Sequence, residues 1–184
     1  LEMSREVLGA KRSPDEWAVA MRNVGWADPA AKPYLAGKMR EMLSHEPWLQ
    51  EPSDGFLEAF DVIVFSGDPS FIPQLAELLD RNDSPMSRAA AVALDRLSEM
   101  EPLQVMNHLN SNPTEFADRP FLRADFFAKA DVSDPAQRAA LEIYLSRPDV
   151  SVPEKEKLLL ALLTPASFVS DNLLTPSSSA EDDD

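Results

Sequence analysis

Gly67-Asp68-Pro69-Ser70-Phe71-Ile72-Pro73-Gln74-Leu75 decides how the chain is read. The residue before a proline is pushed out of the helical region, while proline itself fits the first turn of a new helix. The same pattern recurs: Asp28-Pro29-x-x-x-Pro33-x-Leu35 stands forty residues upstream of Asp68-Pro69-x-x-x-Pro73-x-Leu75. At that offset Trp17 maps onto Leu57, Ala20 onto Phe60, Val24 onto Val64, Ala36 onto Ala76 and Met39 onto Leu79. The correspondence covers the turn and both flanking helices, so the repeating unit is a helix–turn–helix pair. A second echo links Pro85-x-x-Arg88-Ala89-Ala90 to Pro135-x-x-Arg138-Ala139-Ala140. One pair cannot bury its apolar face alone, and stacked pairs make a continuous core.

Working outward, Ser13, Pro14 and Glu16 make a capping-box signature, and Trp17, Ala20, Met21 and Val24 share one face of a helix. That helix is expected over about residues 14–24, stopped by Gly25. A second follows Asp28-Pro29, with Pro33 in its first turn and Leu35, Met39, Met42 and Leu43 inward, and then a polar loop over 44–53. The third, over 54–65, carries Phe56, Leu57, Phe60, Val62, Ile63, Val64 and Phe65 and is apolar nearly all round, which places it in a core. A strand competes for 62–65, but Phe56, Phe60 and Ile63 continue the helical spacing. The fourth runs to residue 80 with Phe71, Ile72, Leu75, Leu78 and Leu79 on one face. Ser84 caps a fifth, bearing Ala89, Ala90, Val92, Ala93, Leu94 and Leu97. Two more are expected over 102–110 and 118–130. Ser133-Asp134-Pro135 opens an eighth with Ala139, Ala140, Ile143, Tyr144 and Leu145, and Val152-Pro153 a ninth with Leu158, Leu159, Leu160, Leu162 and Leu163.

Composition narrows the function classes. The 184 residues suit one domain, with sixteen prolines as helix punctuation and only five glycines. With no cysteine, a disulfide framework, a thiolate zinc site and a cysteine nucleophile are excluded. No apolar stretch approaches the roughly 18 residues of a membrane span, so membrane insertion is not expected. The net charge is −15, from 32 acidic and 17 basic residues. Phosphate affinity comes mainly from Lys and Arg, so nucleic acid is not an expected partner; the charge reads first as solubility, and a basic protein partner is the sharper reading.

Residues 1–13 read as an N-terminal extension, with Leu1-Glu2 as a cloning scar or the start of an excised piece. Residues 14–163 read as the helical domain. Residues 164–184 read as a C-terminal segment in which Phe168, Val169, Leu173 and Leu174 can pack back before an acidic, disordered tail. Serines before acids in that tail are a pattern for acid-directed kinases. No signal peptide is visible, so the default compartment is the cytoplasm, and an exported domain with its signal removed is the alternative.

The turn 67–75 and the Ala-rich helix after Ser84-Pro85 resemble the HEAT-repeat family, best over 54–110, with the loop near Trp48 and the spacing after Asn110 departing from it. The resemblance implies an all-α, right-handed α-solenoid of about four antiparallel helix pairs, irregular toward the C-terminus. It also implies a protein-binding scaffold more often than catalysis. Some members act otherwise. Metal oxygenases of this kind bind iron through several His-Glu dyads, whereas this chain has one, His45-Glu46, and His108 is followed by Leu109. DNA glycosylases of this kind need a basic concave face, and only Lys32, Lys38 and Arg40 cluster here. Tetrapyrrole lyases show that a site between repeats is feasible.

No nucleophile elbow, P-loop or glycine fingerprint occurs. The acid pairs Asp15/Glu16 and Asp54/Glu58 sit at helix starts, where the dipole already favours carboxylates. No catalytic, cofactor or metal residue is therefore assigned. Trp17 has a core position, while Trp26 and Trp48 lie at loop edges and are the candidate protein-binding anchors. The expected function is a non-catalytic interaction scaffold. The alternatives are a small-molecule or cofactor-handling enzyme and an architectural segment of a larger or exported protein.

Overall fold

The computed structural model describes residues 13–45, 49–81 and 84–163, with the side chains of 25–27 and 29 outside that description. Every regular element among the described residues is helical, so the chain is all-α. In order these are α1 (Pro14–Ala27), a 3-10 turn (Pro29–Ala31), α2 (Lys32–Leu43), α3 (Asp54–Glu58), α4 (Phe60–Ser66), a 3-10 turn (Pro69–Phe71), α5 (Ile72–Leu79), α6 (Pro85–Met100), α7 (Pro102–Ser111), α8 (Pro120–Phe127), α9 (Pro135–Ser146) and α10 (Val152–Leu163). Proline stands in the first turn of α1, α2 and each helix from α5 to α9, where its missing N–H costs nothing.

The forty-residue correspondence holds in local geometry. Ser13 accepts from the N–H of Glu16 at 3.3 Å, and Ser53 from that of Phe56 at 3.2 Å. Asp28 accepts from the Ala30 N–H at 3.1 Å, and Asp68 from the Ser70 N–H at 2.9 Å. Each aspartate thus holds a 3-10 turn that leads into α2 or α5. The Glu16 carboxylate returns to the Ser13 N–H at 3.1 Å and completes the capping box. Gly25 does not stop α1, which runs on to Ala27; the stop is Asp28, held extended before Pro29. Gly67 is the terminator of α4, at φ 66°.

The main helix contacts join elements close in chain order: α1 with α3 and α4, α2 with α4, α4 with α6, α5 with α6, α7 with α9, α8 with α10. The core is one cluster from Trp17 to Leu158, and Phe56, Ile63, Leu75, Leu97, Phe127 and Tyr144 are fully enclosed. Gly55 lets α3 approach α1, because a Cβ there would lie 2.2 Å from Oδ1 of Asp15.

Several expected positions differ. Residues 62–65 are helical, and the expected helix is divided at Ala59 into α3 and α4. In the expected loop 44–53, Leu49 is helical and buried, while 46–48 lie outside the described residues. The helix expected over 118–130 spans only Pro120–Phe127; turns precede it, with buried Phe116 left-handed at φ 54°. Val92, Ala139, Ile143, Leu159, Leu160 and Leu163 are exposed instead of inward. On α6 the inward face is Met86, Ala90, Ala93, Leu94 and Leu97; on α9 it is Ala140, Leu141 and Tyr144. On α10 Glu154 and Leu158 take it at i, i+4, which turns the following leucines outward.

Candidate functional site

The two proposed anchors are not placed: Trp26 falls in α1 with its side chain outside the described residues, and Trp48 lies outside them altogether. Phe168, Val169, Leu173, Leu174 and the acidic tail lie outside them as well. The candidate basic cluster is engaged in packing. Lys32 sits over Phe65, Lys38 over Trp17 and against Glu41 at 2.9 Å, and Arg40 over Phe71 with bonds to Asp68 and Ser70. Arg40 and the Ser70 hydrogen bonds outweigh the desolvation of Asp68 and hold its carboxyl below the ordinary range. Among the described residues no group of three or more His, Asp or Glu could hold a metal ion. His108 instead meets Glu115, Nε2 to carboxylate, at 2.9 Å. Of the acid pairs, Asp15 accepts from Ser53 at 2.7 Å and Glu58 pairs with Arg22.

Convergent polar groups do occur, in the interior between α8, α9 and α10. Arg123 donates to Glu154 through Nε at 2.8 Å and Nη2 at 3.1 Å, and to the Pro113 carbonyl at 3.0 Å. Tyr144 donates its hydroxyl to the same carboxylate and stacks on Phe127 at 3.8 Å. Burial disfavours the Glu154 charge, yet the bonds from Arg123 and Tyr144 win and its pKa is lowered. Burial and the same carboxylate push the Tyr144 hydroxyl up. The groups satisfy one another and are sealed from solvent, which makes them a structural lock. The sequence reading missed it because buried Arg and Glu are rare. The signal was Arg123 at i, i+4 to Phe127, on the face that Phe121 leaves.

Outside, ion pairs step from one helix to the next: Arg22–Glu58, Asp61–Arg96, Asp95–Lys129 and Asp125–Lys157. Between α6 and α8 this ladder flanks a groove of about 390 Å³. Its walls are Leu79, Ala91, Leu94, Leu122 and Phe126, with Asp95, Asp125 and Lys129 at the edge. The cations lie back and the carboxylates stand out: Lys129 is 20% exposed against 63% for Asp95, and Arg119 27% against 69% for its partner Asp80. The aliphatic stem of a lysine or arginine covers apolar surface, so the charge that faces solvent is mostly negative. Such a groove offers apolar walls to a side chain and outward carboxylates to a cation.

No helix among the described residues is long and apolar enough to cross a membrane. Comparison of the chain with protein-family models, with curated proteins and with solved structures finds no match.

Proposed function

We propose that the chain is a non-catalytic protein-interaction scaffold, a right-handed solenoid of HEAT-like helix pairs that presents its inter-helix grooves to a basic protein partner. The observation that carries this reading is the solvent-open groove between α6 and α8, apolar in its walls and carboxylate-rich at its edge. Two further observations support the repeat architecture: the matching turns at Asp28 and Asp68, and packing between elements close in chain order. The test uses the whole purified chain as bait, with chemical crosslinking and identification of what is captured, beside elemental analysis and an absorbance spectrum. The expected result is a stoichiometric protein partner. Stoichiometric metal that is lost in His45→Ala, or a bound chromophore, would replace the scaffold with an enzyme.

A second reading, an architectural segment of a larger protein, draws on α10. Val152, Leu159 and Leu163 are exposed there on the last helix described, a face suited to a further packed element.

A further inference from the structure

We infer that the groove between α6 and α8 receives a cationic segment of the partner, one that seats a large apolar side chain on Leu94, Leu122 and Phe126 and lays flanking Lys or Arg on the carboxylates. The inference rests on the scaffold reading and names the partner's chemistry. Two observations carry it. First, a volume of about 390 Å³ lies within the range of pockets that hold specific ligands, and its walls are mostly aliphatic and aromatic. A second groove, lined by Leu57, Phe60, Pro85, Ala89 and Val92, is of similar size, about 350 Å³, but has one carboxylate, Asp61, beside Arg88, where the favoured groove has Asp95 and Asp125 beside Lys129. A third, beside Met21 and Phe65, encloses only about 60 Å³.

Second, the charges around the favoured groove are unbalanced. Arg119 stands near both Asp80 and Asp118, Lys129 near both Asp95 and Glu99, and Lys157 against Asp125. Carboxylates therefore outnumber cations there, and each paired carboxylate is more exposed than the cation that holds it. An incoming cation meets outward oxygens that the protein's own side chains leave in water. An acidic segment would have to displace Asp95 or Asp125 from its lysine first. Together these favour helix-in-groove recognition, with apolar anchors on one face and cations on the shoulders.

The experiment uses three fluorescent peptides of equal length: an amphipathic Lys-rich peptide with Leu and Phe anchors, the same peptide with Glu for Lys, and the Lys peptide with its anchors changed to Ala. Each is titrated by anisotropy against the whole chain, Ala91→Trp and Glu99→Lys. Both substituted positions are exposed, and circular dichroism checks each variant's helix content. Ala91→Trp fills the groove and Glu99→Lys reverses the charge beside Lys129, which stands at its edge, so each tests the proposal separately. The Lys peptide is expected to bind the wild type about tenfold tighter than either control, and each variant to lose about that factor. Equal affinity for the Lys and Glu peptides, unchanged affinity in Ala91→Trp, or no saturable binding would overturn the inference. The scaffold reading is judged apart from it: a partner captured equally by wild type and Ala91→Trp leaves the scaffold standing and removes this groove.

Discussion

Nε of Arg123 on α8 lies 2.8 Å from Oε1 of Glu154 on α10, with side chains 2% and 1% exposed. Two elements thirty-one residues apart are joined there by charges that water does not reach. Removing one partner strands the other. Arg123→Met or Glu154→Leu should each lower stability by about 3–5 kcal/mol, while the double substitution should recover much of that loss. Urea denaturation of the four proteins checks it, and strictly additive losses would contradict the coupling.

Acid should destabilise the fold through the same region. Hydrogen bonds from Arg147 bring Asp149 from its ordinary 3.8 down to about 2, and Arg123 and Tyr144 hold Glu154 below its ordinary 4.5. A carboxyl that is depressed on folding gives stability that is present above its unfolded value and lost as the pH falls through its folded value. The stability contributed by Glu154 should therefore fade below about pH 4.5, and that of Asp149 between about 3.8 and 2. A pH series of urea midpoints should show a shallower acid limb in Glu154→Gln than in the wild type.

Two glycines should respond with opposite sign. Gly67 has φ 66°, and a Cβ there would meet the Glu101 side chain at 3.1 Å, so Gly67→Ala should cost about 1–2 kcal/mol. Gly37 lies inside α2 with nothing within 4 Å of a Cβ, so Gly37→Ala should add about 0.5–1 kcal/mol. Thermal melts of the two variants decide, and a shift of the same sign in both would contradict the assignment.

Phe60 and Leu75 are both buried in the single core. Phe60→Ala and Leu75→Ala should each cost about 2–5 kcal/mol by transfer and cavity terms. Losses under about 0.5 kcal/mol at both would mean that neither side chain is packed as described.

Helix positions were legible because they are written in local chemistry. Ser13, Asp28, Asp68, Ser84 and Asp134 cap where their side chains can reach a neighbouring N–H, and a proline follows each of them. Which way a leucine faces was less legible. On α10 the apolar run 158–163 offers nearly every direction, and the choice is made by Glu154, which must reach Arg123. The candidate site was hardly legible at all. The groove arises where Leu79, Leu94 and Phe126, from three different helices, fail to close over Ala91, and no spacing within one helix encodes that gap. Its ladder of ion pairs joins residues more than thirty positions apart, beyond any local pattern.

Packing between elements close in chain order also sets how the molecule comes apart. Contacts of short sequence separation form quickly and can be lost piecemeal, without opening everything at once. Amide hydrogens of α1, beyond the reach of the Arg123–Glu154 lock, should therefore exchange sooner than those of α8, which that lock pins from within. The helices would then come away from one side first, and a partner seated between α6 and α8 would slow exchange most in the two helices it bridges.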